Sequence, residues 1–263
     1  MLPLLLLFAA APLPVGHRGL PTHAPENTLP AFRACLALRL GFELDVRKTS
    51  DGRLVVLHDD TLNRTTDGKG PVADVPLAGL RKLDAGRWFS PDFAGTRVPT
   101  LDEVFTLLKE EGHDDTIALV DVKADGIEAG IVASAKKHGV LKRIVCIGTA
   151  IESPAVRRAL RAAHASVPVA ALADRPADLE KALAARDADW AYLRFVPDDD
   201  QRKAILASGK KLLLVGKLFM GREPANWDRA RAAGADALLT DHPLECRARW
   251  RVKPPAAPPS ARP

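Results

Sequence analysis

The chain has 263 residues, 47% hydrophobic and 27% charged, a balance that excludes extensive disorder and collagen-like structure. Its formal charge of +5 admits an anionic partner, but carboxylates are interleaved with the basic residues and aromatics are only 5%. That argues against a stacking nucleic-acid groove and leaves the charge mainly to solvated helix faces. Cys35, Cys146 and Cys246 are too few and scattered for a disulfide framework or a thiolate zinc site. No apolar run reaches the ~18 residues of a transmembrane segment.

In chain order, Met1–Ala11 (MLPLLLLFAAA) is an apolar run closing on small residues, the pattern of an export signal, although it lacks a basic start. An exported, periplasmic or extracellular protein is expected. A misplaced start codon, or an N-terminal strand in a cytoplasmic protein, fits the same letters. Strand-like runs follow at 13–17, 42–46, 116–122, 143–147, 167–171, 190–195, 211–215 and 237–240. Helical stretches lie between them at 27–39, 101–111, 127–138, 154–163, 176–186, 199–208 and 224–233. Strands alternating with helices in this number predict an α/β fold, a parallel (β/α)8 TIM barrel over 12–251. A doubly wound open sheet is the alternative, weakened because no Gly-rich phosphate loop opens a helix. Residues 60–99, rich in Gly, Pro, Thr and Asp, read as a small insertion after the second strand. Trp88, Phe89 and Phe93 are expected to anchor it. The stretch 252–263 (VKPPAAPPSARP) reads as a disordered Pro-rich tail.

Barrel active sites gather at the C-terminal ends of the strands, which shortens the search. The first strand ends in Gly16-His17-Arg18-Gly19, and a further short strand, 53–57, ends in His58-Asp59. Glu43 and Asp45 are two apart and share one face of the second strand. Asp121 and Lys123 do the same on the third. Oxygen-only acids from adjoining strands favour a hard divalent cation, Mg²⁺ or Ca²⁺, over zinc. His17 and His58 suit a general acid and base, and Arg18 and Lys123 would bind an anionic phosphate. Each piece alone also fits a structural role, such as a salt-bridged barrel layer. Together they describe phosphoryl-ester hydrolysis of a small-molecule phosphodiester.

HRG at 17–19, PENT at 25–28, FELDV at 42–46, TSDG at 49–52, VVLHDDTLNRTTDGKG at 55–70 and LDAGRWFSPDFAGTRVPTLDEV at 83–104 resemble the glycerophosphodiester phosphodiesterase family. GADALLTDHP at 234–243 resembles the family's last strand and turn. Sphingomyelinase D-like enzymes share the His/acid layout, and the PENT turn favours the first family over them. The resemblance implies a barrel with a small insertion after its second strand. It implies that His17 and His58 form the acid/base pair, that Glu43 and Asp45 hold the metal and that Arg18 faces the phosphate. Glu26 and Asn27 read as a turn and helix start holding the first loop. Asp121-Val122-Lys123 departs from the family's Glu-x-Lys, and Asp reaches roughly 1–1.5 Å less far. Where the family carries Trp-Thr-Val-Asn, LLLVGKLFMGRE places Lys217 and Phe219 beside the leaving-group site. Hydrolysis to an alcohol and sn-glycerol 3-phosphate, or a related phosphomonoester, is expected. A decayed barrel that binds an anionic head group without turnover is the rival reading.

Overall fold

The computed structural model describes residues 11–251; the Pro-rich tail, and all of the leader except Ala11, lie outside the described residues. The strands are β1 (Leu13–Gly16), β2 (Gly41–Lys48), β3 (Leu54–Val56), β4 (Ala118–Val122), β5 (Ile144–Ile147), β6 (Ala170–Ala173), β7 (Trp190–Leu193), β8 (Lys211–Leu214) and β9 (Ala237–Thr240). Eight of them pair in the order β5-β4-β2-β1-β9-β8-β7-β6, and β3 pairs antiparallel with β2 off this path. A single parallel bridge between Cys146 and Val169 links the two ends, so the ring is nearly closed. The barrel expectation holds, and the open doubly wound alternative falls away.

The strands are apolar on both faces because one side fills the barrel and the other lies under helices. Val15, Phe42, Leu44, Leu119, Val120, Ile144 and Cys146 are all buried to 2% exposure or less. The helices are α1 (Leu29–Ala37), α2 (Leu77–Leu80), α3 (Leu101–Glu111), α4 (Glu128–Lys137), α5 (Pro154–Ala163), α6 (Leu179–Ala184), α7 (Asp199–Ser208), α8 (Lys217–Met220), α9 (Pro224–Ala232) and α10 (Pro243–Arg251). Capping boxes set the starts of α3, through Thr100 and Glu103, and of α7, through Asp198 and Gln201. All three cysteines are free and buried, and burial pushes the Cys35 and Cys146 thiols up to about 12, so they behave as small hydrophobes.

The insertion lies between β3 and α3 and carries a core of its own: Val55, Leu57, Leu62, Val72, Leu80, Ala85 and Val98. The expected aromatic anchors do not do this work. Trp88, Phe89 and Phe93 stack edge to face on one another at 5.8 and 5.6 Å, and Trp88 is 42% exposed. Aliphatic side chains seat the insertion instead, with Val75, Leu77 and Leu83 packed against that small core.

Candidate active site

Three carboxylates meet at the C-terminal mouth of the barrel. Asp45 on β2 is paired in register with Asp121 on β4, and Glu43 lies one pleat below Asp45 on the same face. One oxygen from each of the three lies within 4.8 Å of the others. Glu43 is 2% exposed, the Asp45 side chain 1% and the Asp121 side chain 13%. Burial, with Asp45 and Asp121 beside it, holds the Glu43 carboxyl well above the usual range. Burial also raises Asp121, against the lowering effect of Lys123.

The lone pairs of these acids are only partly used. Lys123 Nζ stands 2.7 Å from Asp121 Oδ2 and 3.4 Å from Asp45 Oδ1. Asp121 Oδ1 is buried with no hydrogen-bond partner. A buried, unpartnered carboxylate oxygen amid two further acids fits a hard divalent cation, which takes oxygen ligands. The shorter Asp121 therefore reaches the cluster despite replacing Glu. Gly148 allows this: a Cβ there would come within 1.9 Å of Asp121 Oδ1.

His17 follows β1, and its Nδ1 donates to Asp241 Oδ1 at 2.8 Å, just past the end of β9. His58 follows β3, and its Nδ1 donates to the adjacent Asp59 Oδ1, also at 2.8 Å. A carboxylate cannot donate, so each pair fixes the proton on Nδ1 and leaves Nε2 for exchange. The Arg47 guanidinium braces the His58 carbonyl from below, at 2.9 and 2.7 Å.

Arg18 sits in the left-handed region at φ 57°, a strained backbone for a side chain of this size. The strain turns its N–H onto Glu43 Oε2 at 2.9 Å. Its guanidinium donates to Glu26 Oε1 at 2.9 Å, with Nε 3.6 Å from Asp45 Oδ2. Glu26 also accepts from Arg64 of the insertion, which in turn holds Asp59. These ion pairs lower the Glu26 carboxyl against its burial, and Arg64 and His58 lower Asp59 further.

A cavity of about 560 Å³ opens at this mouth, lined by His17, Glu43, Asp121 and Lys123 on one side and Tyr192, Arg194 and Lys217 on the other. His58 is not among its lining residues; it stands across the acids beside Glu26 and Asn27. Phe219 is fully buried and does not line the cavity, unlike Lys217. Three partners lay beyond the sequence reading. Asp241 is 224 residues from His17; it lies in the GADALLTDHP stretch that resembles the family's last strand and turn, but nothing in those residues shows that it faces His17. Asn27 does more than shape a turn: its Nδ2 donates to Asp45 Oδ2 at 2.7 Å, and its Oδ1 accepts from the Asp45 N–H. Arg194 closes the far wall together with Lys217, and no motif in its own stretch marks it.

Residues 17–245 match the model of the glycerophosphoryl diester phosphodiesterase family. The chain belongs to that family. A glycerophosphodiester phosphodiesterase of Caldanaerobacter subterraneus subsp. tengcongensis is 42% identical over 139 residues, 51% of this chain and 56% of that protein. One from Bacillus subtilis is 37% identical over 138 residues, 49% of this chain and 47% of that protein. The chain thus spans about half the length of the curated relatives it matches. Among solved structures, a glycerophosphodiester phosphodiesterase from Agrobacterium tumefaciens superposes with a TM-score of 0.80 at 26% identity, covering 90% of this chain and 99% of its own. A phosphodiesterase from Oleispira antarctica in complex with the product sn-glycerol-3-phosphate gives 0.76 at 25% identity, covering 92% and 98%.

Proposed function

We propose that this protein is a metal-dependent phosphodiesterase that cleaves a glycerophosphodiester into an alcohol and sn-glycerol 3-phosphate or a related phosphomonoester. One observation carries the reading: a cluster of three acids with an unpartnered buried oxygen lies at the barrel mouth, and each neighbouring imidazole is held by its own carboxylate. Family membership and the product-bound relative support it.

Glu43, Asp45 and Asp121 would hold the cation, Mg²⁺ or Ca²⁺. When bound, it supplies charge stabilisation to a phosphoryl oxygen in the transition state. Arg18 and Lys123 add positive charge on the protein side and orient the phosphate. One imidazole takes the proton of the attacking group as its oxygen bonds to phosphorus; that group is water, giving the monoester directly, or a substrate hydroxyl, giving a cyclic phosphate that water then opens. The other gives a proton to the departing alkoxide as the P–O bond to the head alcohol breaks. Asp241 and Asp59 keep each ring in the tautomer this exchange needs and stabilise the imidazolium that forms.

The test is release of sn-glycerol 3-phosphate by wild type, His17→Ala and His58→Ala, with circular dichroism to confirm folding. Each substitution is expected to lower kcat by about 10²–10⁴-fold. A folded variant that retains full activity would remove that histidine from the acid/base pair.

A further inference from the structure

We propose that Arg194 and Lys217 form a head-group subsite that selects phosphodiesters whose departing alcohol carries a further anionic group. The proposal rests on the phosphodiesterase reading and names its substrate class. The barrel order separates two walls of the cavity. The acids project from β2 and β4, whereas Arg194 and Lys217 follow β7 and β8, with β1 and β9 between. A diester whose phosphate lies at the acids therefore extends one substituent toward the basic wall.

The charges on that wall are unequally neutralised. The Arg194 guanidinium donates to Asp174 Oδ1 at 2.9 Å and lies 6.0 Å from the centre of the Tyr192 ring. Lys123 is already engaged by Asp121. Lys217 opens α8 and is exposed, and among the described residues no carboxylate lies within ion-pair distance of it. Its placement is built into the turn. Gly216 has φ +100°, and a Cβ there would stand 3.3 Å from Arg194 Cβ, so the backbone leading to Lys217 lies directly against Arg194. The two cations are thereby brought to one rim.

A quaternary ammonium head is disfavoured on two grounds. Like charge repels it, and the cavity offers no aromatic cage. Among the described residues Tyr192 is the one Phe, Tyr or Trp side chain lining the cavity, and Arg194 already lies over its ring. Leu218 and Met220 complete the rim with apolar surface, and Asp174, the carboxylate that lines this wall, is already held by Arg194 at 2.9 Å.

The experiment compares kcat/KM for three glycerophosphodiesters differing in head charge. They are glycerophosphocholine (cationic head), glycerophosphoglycerol (neutral) and bis(glycerophospho)glycerol, whose head carries a second phosphodiester. Wild type, Lys217→Gln and Lys217→Arg are measured at one ionic strength. We expect wild type to prefer the anionic head over the neutral one by about tenfold, after allowing for its two equivalent diesters, and to turn over the choline ester slowest. Lys217→Gln should remove most of that preference, and Lys217→Arg should keep it. Equal rates on all three heads, a preference for choline, or an anionic preference untouched by Lys217→Gln overturns the subsite while leaving the phosphodiesterase reading in place. No turnover of any diester overturns both.

Discussion

Asn27 and Arg18 show how much of the site is set by single residues in unusual conformations. Both have positive φ, 56° and 57°, and both turn their polar groups onto the acids of β2. Asparagine tolerates this region because its short amide can bond locally, and here the amide grips Asp45 by both its ends. Asn27→Ala is therefore expected to weaken divalent-metal affinity by about 10–100-fold, since the carboxylate proposed as a ligand loses its orienting donor. Calorimetric titration checks this, and an unchanged affinity would show that Asp45 is held by β2 alone. Part of the candidate set was legible from position: His17 and Arg18 follow β1, Lys123 follows β4, and Glu43, Asp45 and Asp121 come together from β2 and β4, whereas His58 follows β3, which lies off the barrel path. Asp241 and the true contact of Asn27 were not, because each depends on a neighbour that only the folded ring brings near.

At the scale of elements, Asp84 organises the segment that β3 leads into. Its carboxylate accepts from the backbone N–H groups of Gly86, Arg87 and Gly95. These bonds to the charged form pull its carboxyl down to about 2. The depressed value means that the stabilisation is present above the unfolded carboxyl range, about 3.9, and is lost as pH falls toward 2. Wild type should therefore melt above Asp84→Ala near pH 6, with the gap closing between pH about 4 and about 2. A gap of constant size across that range would assign the loop's order to its aliphatic core instead. Strand order and helix positions were readable because apolar runs and caps are local signals. β6 begins three residues later than its apolar run: Val167 and Val169 are buried ahead of the ladder, and Val169 makes the isolated closing bridge to β5 while its carbonyl accepts from the Asp189 and Trp190 N–H groups. α10 went unseen because its buried side is only Pro243, Cys246 and Trp250 within an otherwise charged stretch.

Across the whole molecule the barrel separates charge. The acids of β2 and β4 form one wall of the mouth, and Arg194 and Lys217 form the wall opposite. The formal excess of +5 says nothing of this division, because it sums the charge of the whole chain and carries no information on which side chains share the cavity. The family motifs mark the acidic wall densely, so that half of the site was legible before any coordinates. The opposite wall comes from β7 and β8, where the sequence departs from the family pattern, and only the closed ring shows which side chains share the cavity. The central claim is that the three acids hold a cation needed for phosphodiester cleavage. It is tested most directly by following glycerophosphoglycerol by ³¹P NMR with the wild-type protein, in Mg²⁺, in Ca²⁺ and in excess chelator. The diester signal should give way to that of a phosphomonoester with at least one of the two metals and persist in chelator. Equal conversion in chelator by a metal-stripped protein would contradict a metal role for Glu43, Asp45 and Asp121.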